Sequence, residues 1–177
     1  MGHPVLMSGS ELLVIGGASG VGKSSAAFAL HDLLSADDVH HAVVEGDALD
    51  LAHPAPWDSG IAFRNLSAIW DNYRALGYRR LIYTNTVSVL EVTAIADAMG
   101  DQPRVTAVLL RATTGTVHDR LVTREQGDSL RAHDERSRAA ALHLDAEAGS
   151  AVHRLDTEGR TPREVALQIR ALLSWNQ

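Results

Sequence analysis

The 177-residue chain carries 16 Lys and Arg against 22 Asp and Glu, a formal net charge of −6, which offers no general attraction to nucleic acid or to an anionic membrane surface. It contains no cysteine, so disulfide scaffolds and thiolate metal sites are excluded. Its length and its 45% apolar share suit one domain spanning 1–177, with a full core.

The opening "MGHPVLMSGS" lacks the basic and long apolar regions of a signal peptide. No apolar run approaches the roughly 20 residues of a membrane span, so the chain reads as cytoplasmic. The first element is the apolar run "LLVIG" (12–16), a buried strand, followed by "GASGVGKS" (17–24) and an alanine-rich helix over 22–34. "GASGVGKS" fills every fixed position of G-x-x-x-x-G-K-[ST], the Walker A pattern, and has the strand before it and the helix after it that the pattern requires. Glycine carries a large backbone entropy cost, so Gly17, Gly20 and Gly22 need a local reason. Backbone amides converging on phosphate oxygens, at the positive end of a helix, supply one. Gly17, Ala18, Ser19, Gly20, Val21, Gly22, Lys23, Ser24 and Ser25 form the expected cradle for a nucleoside triphosphate. Lys23 would reach the β- and γ-phosphates, and the Ser24 hydroxyl would bind Mg²⁺.

The second strand, "HAVVEG" (41–46), delivers Asp47 just past its C-terminal end, beside the phosphate loop. An ionised aspartate there can accept the hydrogen bond of an acceptor hydroxyl or hold a water on Mg²⁺. The plainer alternative is a cap for the next helix. Asp50, one turn further on, reads as a surface residue, and the paired His40 and His41 carry no assigned role. "GGASGVGKS" followed by "EGD" resembles the small P-loop kinases of the shikimate, gluconate and adenylylsulfate kinase type, together with chloramphenicol phosphotransferase. The resemblance implies a three-layer α/β P-loop NTPase fold, with a five-stranded parallel sheet of order 2-3-1-4-5, flanking helices and a lid. It also implies ATP and Mg²⁺ as cofactors, and contact of Asp47 with the acceptor hydroxyl or the metal.

The proline-containing stretch "DLAHPAPWDSG" (50–60) is a loop inside the domain, leading to a helix over 60–76. This region should make the acceptor pocket, with Trp57 as a wall and Arg64, beside Asn65, holding an anionic or hydroxyl-rich acceptor. Trp70 and Tyr73 have core-like helical spacing. The third strand, 80–85, ends in "IYTNTVS", which places Thr84, Asn85 and Thr86 at its C-terminal edge. Asn85 is a candidate for hydrogen-bonding the acceptor. The stretch has no terminal aspartate of Walker B kind and no D-G-x-P-R signature of nucleoside monophosphate kinases, which weakens a nucleotide acceptor.

A helix over 87–99 and a strand over 105–110 follow, then helices over 114–125 and 129–147. Arg120 and Arg124 fall on one helical face at i and i+4. The resemblance implies that this pair belongs to an arginine-bearing lid, within about 115–140, that closes over the triphosphate and excludes water. Arg131, Arg136 and Arg138 read as a solvated face. After the last strand (151–156), "DTEGR" matches D-x-x-G, yet it lies too far along the sheet for a switch aspartate, and no N-K-x-D appears, so a GTPase is excluded. The resemblance makes Thr157 and Gly159 candidates for cupping adenine. The last helix, 162–174, starts with Thr161 as N-cap, Pro162 in its first turn and Glu164 at the capping-box position. None of the nine histidines has metal-ligand spacing.

These readings together predict an ATP-dependent kinase that transfers the γ-phosphoryl group to a hydroxyl of a small molecule, whether metabolite, sugar acid or antibiotic. A nucleoside or nucleotide kinase is the enzymatic alternative. A non-catalytic nucleotide-binding switch module is the alternative from another class. The expected partner is the small-molecule acceptor, with no nucleic acid or membrane, in a monomer or homodimer.

Overall fold

In the computed structural model of the protein, residues 9–113, 115–117 and 128–175 are described, with 128–134 as backbone. The chain alternates strand and helix: β1 (Glu11–Gly16), α1 (Lys23–Ala36), β2 (Ala42–Glu45), α2 (Ile61–Ala75), β3 (Arg80–Thr84), α3 (Val92–Met99), β4 (Arg104–Arg111), α4 (Asp128–Glu147), β5 (His153–Asp156) and α5 (Pro162–Leu172). The strands form one sheet of order β2-β3-β1-β4-β5, and every neighbouring pair is parallel. That is the order the resemblance implied.

All six residues of β1 are buried, as the apolar run predicts for a strand covered on both faces. Successive side chains alternate faces. Leu12 and Val14 pack with Trp70 of α2, Ile95 and Met99 of α3 and Leu144 of α4. Leu13 and Ile15 pack with Leu30 and Leu34 of α1 and Ile169 of α5. Trp70 is fully buried and Tyr73 packs against the same cluster, as their spacing predicts. At the N-terminal edge of the sheet, Glu11 lies in register with Arg80 and Arg104 on the two flanking strands and forms ion pairs with both side chains. Among the described residues no helix is long and apolar enough to cross a membrane.

Two details depart from the sequence reading. The helix expected at 87–99 divides into a 3-10 turn, Ser88–Leu90, and the shorter α3. His41, which had no assigned role, is buried just before β2. Its Nδ1 lies 2.7 Å from the Val39 carbonyl oxygen and its Nε2 lies 2.9 Å from His31 Nδ1 on α1. The pair ties the first helix to the entry of the second strand.

Candidate active site

β1 ends on the glycine-rich loop over 17–24, and three neighbours hold that loop in place. The Gly17 amide donates to the Thr86 carbonyl beyond β3 at 3.1 Å. Ser137 of α4 donates its hydroxyl to the Ser19 carbonyl at 2.8 Å, and Thr157 beyond β5 donates its hydroxyl to the Val21 carbonyl at 3.2 Å. Gly17 adopts a φ of 146°, and a Cβ built there would lie 2.7 Å from the Leu110 carbonyl at the end of β4. Only glycine passes so close to a neighbouring backbone in that conformation.

α1 opens immediately after the loop with Gly22 as its N-cap, in the left-handed region. No side chain caps it and no acidic residue stands in its first turn. The helix start thus keeps amide donors and a positive dipole end facing the cleft, an arrangement that suits a phosphate. Lys23 donates to the Gly17 carbonyl at 2.8 Å and the Ala18 carbonyl at 3.3 Å. Burial holds its ammonium below the usual lysine range, while the charges of Asp47 and Glu45 oppose that shift. The cleft in front of the loop measures about 660 Å³ and is lined by residues 19–26 with Asp47, Thr157, Arg160, Pro162 and Val165.

Asp47 stands on the other wall, in a 3-10 turn, Gly46–Ala48, that follows β2 directly. Its Oδ1 accepts from Asn85 Nδ2 at 2.8 Å. Asn85 is itself fixed on three sides. Its amide donates to the Ile15 carbonyl of β1 at 3.3 Å, its Oδ1 accepts from the Val87 amide at 3.0 Å, and its carbonyl accepts from the Ser88 hydroxyl at 2.9 Å. Beneath the turn lies Tyr83, with its hydroxyl against Gly46: a Cβ there would come within 2.2 Å of the phenol oxygen. Burial pushes the Tyr83 phenol up to about 12, with further contributions from the charges of Glu91, Asp47 and Asp50.

The remaining candidates are placed less centrally. Trp57 is 77% exposed on its own 3-10 turn and is not brought to the cleft. Arg64 is exposed on α2, and Asn65 spends its amide on the Leu49 carbonyl at 2.6 Å. Thr157 borders the cleft, but its side chain is buried and bonded to the loop. Gly159 forms a turn at φ 62°, in which the Arg160 amide donates to the Thr157 carbonyl. Arg120, Arg124 and Gly127 lie outside the described residues. Sequence reading passed over two residues, Ser137 and Arg160. Arg160 directly follows the "DTEG" that was singled out, so an arginine in that loop was an available signal. Ser137 had none, because its partner lies 118 residues away.

No protein-family model matches the chain, and no curated protein matches it significantly in sequence. Solved structures do match. The tunicamycin resistance protein of Deinococcus radiodurans is 21% identical, covering 94% of this chain and 97% of that one, with a TM-score of 0.64. A gluconokinase from Sinorhizobium meliloti is 18% identical over 93% of both chains, with a TM-score of 0.58. The shikimate kinase of Acinetobacter baumannii, solved with shikimate, is 15% identical over 92% of both, with a TM-score of 0.57. At these identities the likeness is one of fold, and the fold of this chain is that of the small P-loop kinases.

Proposed function

We propose that the protein is an ATP- and Mg²⁺-dependent kinase that phosphorylates a hydroxyl of a small-molecule acceptor. One observation carries the reading. The uncapped start of α1, with Lys23, and the carboxylate of Asp47 face one cleft, as a triphosphate and an attacking hydroxyl would require. That solved neighbours of the same fold are named as kinases of gluconate and shikimate adds support.

In this reading the loop amides and Lys23 stabilise negative charge on the phosphates. Ser24 and Asp47 offer a hydroxyl and a carboxylate across the cleft, the hard oxygen donors that fit Mg²⁺. The ion, when bound, neutralises charge on the transferring phosphoryl group. Asp47 orients the acceptor hydroxyl and takes its proton, and Asn85 holds Asp47 in position. Arg120 and Arg124 would add positive charge over the phosphates, a role that rests on their spacing and the resemblance.

Release of ADP in the presence of candidate acceptors tests the reading, with Asp47→Asn as the control. Transfer should fall by about 10²-fold or more in the variant, the scale of lost general-base catalysis, with ATP affinity kept. An unchanged rate would remove Asp47 from the mechanism, and failure of ATP to bind would remove the kinase.

A further inference from the structure

We infer that Ser137 and Thr157 are positioning residues that aim two amides of the glycine-rich loop, those of Gly20 and Gly22, at the phosphates of a bound nucleotide, an inference that rests on the kinase reading above. Both side chains are buried, Ser137 at 4% exposure and Thr157 at 3%. The Ser137 hydroxyl, on α4, donates to the Ser19 carbonyl at 2.8 Å, and the Thr157 hydroxyl, beyond β5, donates to the Val21 carbonyl at 3.2 Å. A peptide unit is planar and trans, so its carbonyl and the amide that follows point in opposite directions. Holding the Ser19 carbonyl therefore sets the Gly20 N–H, and holding the Val21 carbonyl sets the Gly22 N–H.

The direction follows from where Ser137 stands. It does not line the cleft in front of the loop. With Ala18 and Val21 it lines a second cavity of about 570 Å³, bordered by α4 and the end of β4. The Ser19 carbonyl is drawn to that side, which turns the Gly20 amide toward the cleft that Ser19, Gly20 and Gly22 line. Neither the Gly20 nor the Gly22 amide donates to an acceptor among the described residues, so both are open to an anion.

These two units need an outside clamp. Each leads into glycine, which accepts either orientation of the peptide, so the local backbone does not fix the aim. A unit that turned over would present a carbonyl oxygen to the phosphate in place of a donor. A hydrogen bond to a charged oxygen is among the stronger ones and weakens steeply as its angle closes. The two hydroxyls thus act on the phosphates through the loop.

Binding of inorganic tripolyphosphate and of a non-hydrolysable ATP analogue to the full chain, each with Mg²⁺, is measured by titration calorimetry. Ser137→Ala and Thr157→Val should each weaken both ligands about tenfold, the weight of one charge-assisted hydrogen bond. Thr157→Ser keeps the hydroxyl and should bind both as the unmutated chain does. Thermal melts of the ligand-free variants check their folding. A contact that only braces the fold would lower the melting temperature and leave both affinities unchanged, which would overturn the inference. A loss confined to the ATP analogue would overturn it too, by placing the effect at the nucleoside, as would a loss in Thr157→Ser equal to that in Thr157→Val. Failure of both ligands to bind the unmutated chain would sink the kinase reading along with the inference, whereas binding untouched by Ser137→Ala and Thr157→Val sinks the inference alone.

Discussion

Lys23 exchanges water for two backbone carbonyls of its own loop, and neither contact ties it to the hydrophobic core. Its removal should therefore leave the fold intact. Lys23→Ala is expected to abolish phosphoryl transfer with little change in the melting temperature of the ligand-free protein; a large loss of thermal stability would instead mark a structural lysine. Asn85 gives a second test at this scale. It grips Asp47 at 2.8 Å while its own backbone is bonded to β1 and to the following turn. Asn85→Ala should lower kcat by about 10- to 100-fold, because a carboxylate misplaced by about 1 Å loses that much, with the KM for ATP preserved. A kcat that stays at the wild-type value while the KM for the acceptor rises would make Asn85 a binding residue instead. The place of Asp47, just past β2, was legible in the sequence because "EGD" closes a strand pattern. Its dependence on Asn85 was not, since 38 residues separate the two and no local pattern records the pairing.

Two elements are held by contacts with measurable consequences. The first is the entry to β2, where burial pushes the His41 imidazole below its ordinary value. The folded protein therefore favours neutral His41, while the unfolded chain takes up a proton near pH 6.5. Stability is full above that pH and declines as pH falls below it, because the unfolded state then binds more protons. The melting temperature should drop between about pH 7.5 and about pH 5.5, and His41→Gln should flatten part of that slope. Parallel slopes in the two proteins would remove His41 as the cause. The second is the turn after β2, where Tyr83 occupies the space beside Gly46. Gly46→Ala should destabilise the protein by about 1–3 kcal/mol, the cost of overpacking, measured by denaturant unfolding; an unchanged midpoint would mean that Tyr83 moves aside freely. The order of strand and helix was legible because parallel strands covered on both faces read as short apolar runs, as "LLVIG" does. Trp57 misled for the opposite reason. An aromatic residue in a proline-containing loop carries no periodicity to say which way it faces, and here it faces solvent.

Across the whole molecule, the glycine-rich loop is bonded to the segment beyond β3, to α4 and to the segment beyond β5. A ligand that binds the folded chain alone stabilises it by an amount that its Kd and concentration set. At 100 times its Kd, ATP should add about 2.7 kcal/mol, which for a chain of this size raises the melting temperature by about 5–10 °C. A shift well below this at that ratio would mean that ATP also binds the unfolded chain or does not bind the folded one with that Kd. The sheet also sets the two sides of the cleft on different strands. Asp47 and Asn85 lie beyond β2 and β3, while Thr157 and Arg160 lie beyond β5, with β1 between them. Sites that share no partners combine additively, so a double-mutant cycle between Asn85 and Arg160, read on unfolding free energy, should close with almost no interaction energy. Under the proposed function, a chain built this way could exchange one acceptor for another through changes at one edge of its sheet, leaving its hold on the nucleotide as it was.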